Sequence, residues 1–362
     1  MSKTKAQELA DLVNGSLGKG TVSFATDKDY AVTYTSTGLL PFDILFQGGM
    51  PSGRFVEVIG DYSTLKSYLG LCSIVEVQKR GGTAAIIDTE HAFDPAWAQS
   101  IGVDLSNLIV ERPENGELAM DIMEALVRAG IDMIVVDSIA ATLPAAEQEK
   151  RFHGEKVQPG RLAYLMSVAL RKITTANTKT SILWINQTRL NIGVTFGSPL
   201  AVPGGKAMPY YASYRVEMKK VGKETVVVDQ HDGEKWVKGR SQVGQKYKAE
   251  VLKSKLSRPF RDVLFTWNLE ENSIDLTSFL ISQGLETGLV SLKGNTWSYG
   301  EHKAVGREKF KTLISSDPAI RASLENDVRA AHSLPLIPVP KAPTPVKTTT
   351  PRKRTTRKKA SA

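Results

Sequence analysis

Between Arg54 and Asn186 short apolar runs alternate with amphipathic stretches, and this alternation limits the possible folds more than any other feature. The runs are Phe55–Ile59, Thr83–Asp88, Leu108–Val110, Met133–Asp137 and Ile182–Asn186. Strands without a polar face need cover on both sides, so the pattern predicts an α/β fold with a mostly parallel central sheet wrapped by helices. The stretch Glu117–Ala129 carries Leu118, Ile122, Ala125 and Leu126 at helical spacing and ends at Gly130, a frequent helix C-cap. After Tyr211 the runs come closer together (Tyr214–Lys219, Lys246–Leu252, Val263–Asn268), which suggests antiparallel strands added at one edge.

Around this core the chain divides into further segments. Residues 1–34 form an N-terminal arm, where Ala6, Leu9, Ala10 and Val13 predict a helix over 3–14 that Gly-containing residues 15–20 interrupt. Residues 35–270 are the core, and 271–332 a small, mainly helical C-terminal α/β unit. Residues 333–362 hold six prolines and few large apolar side chains, too little burial to offset the entropy of ordering, and are expected to be disordered. Eight of the cations lie in this tail with no acid, so of the net charge of +9 only +1 belongs to residues 1–332. A nucleic-acid site in the body must therefore come from local groups and not from a general positive field. The single cysteine, Cys72, excludes an intrachain disulfide and reads as a buried thiol. No eighteen-residue apolar run and no secretory leader are present, so a cytoplasmic protein with no membrane partner is expected.

The segment Gly60-Asp61-Tyr62-Ser63-Thr64-Leu65-Lys66-Ser67 follows an apolar strand and opens an amphipathic helix. This is the context of a phosphate-binding loop, with backbone N–H groups around phosphates, Lys66 against β/γ oxygens and Ser67 on Mg²⁺. Leucine stands at position 65 where such loops usually carry glycine. Alone, the segment also reads as a plain strand–turn–helix. About seventy residues later Asp132-Met-Ile-Val-Val-Asp137-Ser138 is an apolar strand ending in a carboxylate, which either caps the next segment or helps hold Mg²⁺ beside the loop. Together the two point to nucleotide binding.

In order along the chain stand Ser36-Thr37-Gly38, Phe42-Asp43, Gly48-Gly49-Met50-Pro51-Ser52-Gly53-Arg54, Asp88-Thr89-Glu90-His91-Ala92-Phe93-Asp94-Pro95, Val135-Val136-Asp137-Ser138 and Trp184-Ile185-Asn186-Gln187-Thr188-Arg189. Over about residues 35–330 the sequence resembles the bacterial and bacteriophage RecA recombinases. The resemblance implies a P-loop RecA-like ATPase core that binds ATP and Mg²⁺ and polymerises as a helical filament on single-stranded DNA. Pairing with homologous duplex DNA and strand exchange would follow.

Residue by residue, the resemblance makes Glu90 the group that orients the attacking water, with Lys66 and Gln187 as the other catalytic residues, Gln187 sensing the γ-phosphate. Gly60 through Tyr68, with Asp137, would hold the nucleotide, Ser67 and Asp137 the metal. Asp94 and Trp97 resemble adenine-side contacts, although Trp97 also fits a core position. Lys253 and Lys255 are similar to the paired lysines that reach a neighbouring subunit's nucleotide; surface lysines on an edge strand are the plainer reading. The loop Thr188–Gly205 resembles the second DNA-binding loop, with Arg189, Phe196, Gly204 and Gly205 as contacts, and Glu149–Arg161 the first, ending in Arg161. Residues 3–14 would pack on the adjacent core.

Two departures matter. Leu65 replaces the loop glycine, which leaves open a filament-forming single-stranded DNA binder that hydrolyses no ATP. The basic tail contrasts with typically acidic bacterial tails and suggests a bacteriophage-type member. A RecA-fold helicase or motor is disfavoured by the Glu90 segment and the helical C-terminal unit.

Overall fold

A computed structural model describes residues 3–25, 31–148, 160–190, 200–231 and 236–339. Phe196, most of the first expected DNA-binding loop (149–159), half of the second (191–199) and the tail from 340 onward lie outside the described residues.

In chain order the main elements begin with α1 (Lys5–Leu17), α2 (Leu40–Phe46), β1 (Phe55–Gly60), α3 (Lys66–Lys79), β2 (Ala84–Asp88), α4 (Pro95–Ile101), β3 (Leu108–Glu111), α5 (Gly116–Ala129) and β4 (Met133–Asp137). They continue with α6 (Arg161–Ala176), β5 (Ser181–Gln187), α7 (Ala207–Tyr211), β6 (Tyr214–His231), β7 (Trp236–Ser254), β8 (Asp262–Asn268), β9 (Ser273–Ile274) and α8 (Leu276–Glu286). A short three-stranded sheet, β10 (Ser291–Lys293), β11 (Thr296–Tyr299) and β12 (His302–Val305), and two helices, α9 (Arg307–Ser316) and α10 (Pro318–Ala331), complete the set.

The nine-stranded sheet has the order β9-β8-β7-β6-β1-β5-β4-β2-β3. β1, β5, β4, β2 and β3 are parallel, and β6 joins them in parallel through Tyr214–Met218 alongside Val56–Gly60. Every residue of β1, β2 and the first four of β4 is buried, as their largely apolar sequence requires, and the one charge within β1, Glu57, is paired with Arg215. On one face Met120, Met123, Met166 and Leu170 of α5 and α6 pack on Ile134 and Trp184. α3 closes in on β4, where a Cβ on Gly70 would stand 3.0 Å from Val135 Cγ1. At this contact the missing side chain lets helix and sheet approach.

The helix expected at Glu117–Ala129 forms with an Asn115 cap and a left-handed Gly130. Its buried face is rotated from the expected one: Gly116, Ala119, Met120, Met123 and Val127 point inward, Ile122 and Leu126 pack at the margin of the core, and Leu118 and Ala125 are exposed. Apolar residues surround most of this helix, and the small Ala119 and flexible methionines fit closest to the sheet.

The strands expected at Tyr214–Lys219 and Lys246–Leu252 are the inner ends of much longer ones. β6 and β7 pair from Tyr214/Ser254 out to His231/Trp236, while β8 pairs with β7 only over Gly244–Glu250. Beyond these, the two strands pair with each other alone, as a ribbon whose Val226 and Val227 are exposed.

The chain divides into two compact units, the first running to Phe279 with residues 332–334, the second holding 280–331 and continuing from Pro335. The second has its own core of Phe310, Ile314, Leu324 and Val328; Trp297 stacks on Phe310, and the Tyr299 hydroxyl donates to Asp327 at 2.6 Å. In the first, α1 starts with a capping box: Thr4 Oγ1 accepts from Gln7 N, and Gln7 Oε1 from Thr4 N. Only Ala10 of α1 is buried, and Leu9, Leu12 and Leu17 are exposed.

Candidate nucleotide-binding site

Parallel strands deliver their C-terminal ends to one edge of the sheet, and here four adjacent ends carry the polar residues that the sequence singled out. β1 ends in Gly60. A Cβ there would lie 2.5 Å from Met218 O and 2.8 Å from Thr64 Oγ1, so only glycine lets the loop leave β1 at this point. Tyr62 N donates to Asp61 Oδ1, and Thr64 Oγ1 to Asp61 O, both at 2.8 Å. Ser63 (φ 52°) and Leu65 (φ 66°, ψ 19°) are left-handed. Position 65 therefore has the backbone conformation that glycine adopts without strain, and the leucine holds it at a cost of about 1–2 kcal/mol.

Lys66, first residue of α3, is buried and its ammonium donates to Gly60 O (3.1 Å), Asp61 O (2.7 Å) and Thr64 Oγ1 (3.2 Å). Burial pulls its pKa down, while Asp137, Glu90 and Asp61 pull it up. Ser67 Oγ donates to Asp137 Oδ2 at 2.6 Å across the gap between α3 and β4. Burial lifts the Asp137 carboxyl to about 6; nearby Glu90 and Asp88 add to the shift, and Ser67 and Lys66 oppose it.

Glu90, just beyond β2, accepts from Ser138 Oγ at 2.5 Å and from Gln187 Nε2 at 2.7 Å, both on Oε1. One carboxylate thus links the ends of β2, β4 and β5. Ser138 had no assigned role in the sequence; its position directly after the strand-ending Asp137 was the available signal. Asp94 caps α4, accepting from Ala96 N and Trp97 N. Trp97 is 40% exposed and so is not a core residue. It lines a cavity of about 130 Å³ with Ser67, Asp88, Glu90, Phe93 and Asp137, and one of about 500 Å³ with Tyr68 and Cys72. Tyr68 lies 6.5 Å from the Trp97 ring and edge-on to Trp267 at 4.7 Å. Tyr62 is exposed, with Lys220 Nζ 4.3 Å from its ring centre.

The remaining expected residues lie elsewhere. The Lys253 ammonium donates to carbonyls at the end of α7, to Tyr210 O (3.1 Å), Ala212 O (3.0 Å) and Pro209 O. Lys255 is exposed just past β7. Arg161 opens α6 after a left-handed Gly160. Arg189 and Leu190 pair with Ala201 and Leu200, which closes the base of the 188–205 loop. At its far end Gly204 and Gly205 are left-handed, and a Cβ on either would press Ile139 Cγ2 (2.9 Å) or Ala163 Cβ (2.5 Å). Asn186 Nδ2 joins this end to the core, donating to Pro203 O (3.0 Å) and to the buried Glu57 (3.1 Å), which Arg215 also pairs at 2.5 Å.

A model of the RecA N-terminal domain matches residues 5–272. The chain is 39% identical over 338 residues to Protein RecA of Rhizobium leguminosarum bv. viciae, covering 91% of this chain and 92% of the relative. It is 40% identical over 324 residues to Protein RecA of Caulobacter vibrioides (strain NA1000 / CB15N), covering 88% and 86%. Against Protein RecA of Acidiphilium cryptum (strain JF-5) it is 38% identical over 343 residues, covering 92% and 95%. The chain belongs to the RecA family, the ATP-dependent recombinases that pair and exchange DNA strands.

Proposed function

We propose that ATP with Mg²⁺ is held at the strand ends described above, and that the chain works as a helical filament on single-stranded DNA that takes up a homologous duplex. The observation that carries this reading is the junction at Glu90, where Ser138 and Gln187 converge on one carboxylate beside the Ser67–Asp137 pair. The donor set fits the nucleotide. A buried ammonium stands at the N-terminus of a 14-residue helix, where N–H groups and positive charge favour phosphate. Ser67 and Asp137 supply two hard oxygens, which suits a Mg²⁺ that keeps water and phosphate ligands.

Bound there, ATP supplies the phosphoryl group whose transfer to water drives the cycle. Lys66 balances phosphate charge, and Glu90 orients the attacking water, its own position set by Ser138 and Gln187. Gln187 begins the path to the 188–205 loop, so nucleotide state and DNA contact through Arg189, Phe196, Gly204 and Gly205 are linked; Arg161 belongs to the other loop. Asp94 and Trp97 border the base. Lys253 and Lys255 reach the nucleotide of an adjoining subunit, and α1, with Leu9, Leu12 and Leu17 outward, packs on that subunit's core; the exposure of Lys255 and of these leucines supports this. A cytoplasmic location accompanies the DNA substrate; among the described residues no helix is long and apolar enough to cross a membrane. The bacteriophage-type assignment rests on the basic tail alone, the relatives named above being bacterial.

Electron microscopy on single-stranded DNA with a non-hydrolysable ATP analogue tests the reading. Regular helical filaments that need both ligands are expected; their absence refutes it. Filaments together with no ATP hydrolysis would favour the non-hydrolysing binder that Leu65 suggested.

A further inference from the structure

The turn that carries Glu90 is fastened at both ends. Its upstream end is tied to β4: Thr89 N and Glu90 N donate to Asp137 O at 2.9 and 3.2 Å, and Thr89 Oγ1 donates to Ser138 O at 2.7 Å. Its downstream end is held by a different pair of residues. Asp88, 2% exposed at the end of β2, accepts from Ala92 N and Phe93 N, both at 3.0 Å. The parallel register that aligns Ile87 with Glu111 brings the next residues, Asp88 and Arg112, side by side. Arg112 Nε donates to Asp88 Oδ2 at 3.0 Å and Arg112 Nη2 to Phe93 O at 3.1 Å.

One guanidinium therefore grips both the carboxylate that closes the turn and a carbonyl within it. The planar fork of arginine suits two such acceptors, which an ammonium engages less well. The pairing also places a cation beside Asp88, otherwise a buried carboxylate close to two more, Glu90 and Asp137. Between the two ties, His91 is left-handed (φ 55°), a conformation that persists where its surroundings hold it.

We propose that Arg112, acting through Asp88 and the Phe93 carbonyl, is a positioning residue for Glu90: it keeps the turn closed so that the carboxylate stays where Ser138 and Gln187 meet it. This rests on the reading of Glu90 as the residue that orients water. Arg112 touches none of the phosphate-loop residues in the described contacts, and Asp94 keeps its own cap on α4, so its effect belongs in turnover far more than in nucleotide affinity.

The test compares R112A and R112K with the unaltered full-length chain, on saturating single-stranded DNA with Mg²⁺ and ATP. R112A is expected to lower kcat about tenfold, within the roughly hundredfold that misplacing a reacting group can cost. The Kd of a fluorescent ATP analogue should stay within about threefold, since charge and donors in the phosphate loop are untouched. R112K restores the charge facing Asp88 and should recover part of the lost kcat; it also serves as the test variant should R112A fail to fold. Parental kcat in the variants overturns the proposal, as does a fall in kcat matched by equal losses in nucleotide affinity and thermal midpoint without recovery in R112K. An unaltered chain that hydrolyses no ATP would instead refute the role of Glu90.

Discussion

The parallel and antiparallel halves of the central sheet are built under different constraints. In the parallel half, β1, β5, β4 and β2 lie under helices, so the side chains along them are mostly apolar and, apart from the paired Glu57, their polar residues gather at the strand ends. Gly60, Asp88, Asp137 and Gln187 all stand at such ends, which is why the 60–67 loop, the Ser67–Asp137 pair and the Glu90 carboxylate come together. In the antiparallel half, β6 and β7 outgrow the sheet and are held over their outer length only by each other. The residues around Glu90 therefore belong to the first half, and length and charge can vary in the outer part of β6 and β7 with little effect on the core.

If that division is right, changes in the parallel half should dominate. Glu90→Gln should lower kcat about 10²–10⁴-fold, the usual contribution of a positioned acid–base group, with nucleotide binding retained and filaments longer lived. Steady-state hydrolysis and nucleotide titration check it. Lys66→Ala should weaken ATP binding by roughly 10–100-fold, since hydrogen bonds to charged groups are worth about 1.5–3 kcal/mol, and isothermal titration measures the loss.

The Asp137 carboxyl is raised to about 6 in the metal-free site. Mg²⁺ needs its ionised form, so Mg²⁺ affinity should fall about tenfold per pH unit below that point. Stability runs the other way. The folded carboxyl binds its proton more tightly than the unfolded one, so metal-free protein should lose stability as pH rises from about 4 to 6. Thermal melts against Asp137→Asn, which lacks this titration, should show the difference.

Leu65→Gly removes a left-handed leucine and should relieve about 1–2 kcal/mol of backbone strain, less the extra freedom glycine has when unfolded. Urea unfolding and ATP affinity measure it. The smallest effect is expected in the antiparallel half: replacing residues 225–242 with a two-residue turn should leave the thermal midpoint and hydrolysis close to parental values, because this part pairs with no third strand. A large loss of stability there would break the comparison.

The same contrast explains how much was legible in the sequence. Strand ends in the parallel half agree with the expected runs to within a residue or two, because continuous burial writes itself as continuous apolar sequence. The outer ribbon escaped notice: residues 220–245 are mostly polar, Gly222, Gly239 and Gly244 interrupt them, and the strands owe their form to each other and not to a core. In α5 only Ile122 and Leu126 of the four expected residues pack against the core, because apolar residues lie around most of the helix. Lys66, Ser67 and Asp137 were visible as motif residues, and Ser67 Oγ donates to Asp137 Oδ2 at 2.6 Å. Arg112 and Ser138 were not, since their partners Asp88 and Glu90 are set beside them by strand register.

The most direct test of the account is ATP hydrolysis by the unaltered full-length chain, with and without single-stranded DNA, at fixed Mg²⁺. The linked ends of β2, β4 and β5, with Gln187 at the start of the loop proposed to contact DNA, predict hydrolysis that rises clearly when single-stranded DNA is added. A rate that is the same with and without DNA, or no hydrolysis under either condition, would contradict it.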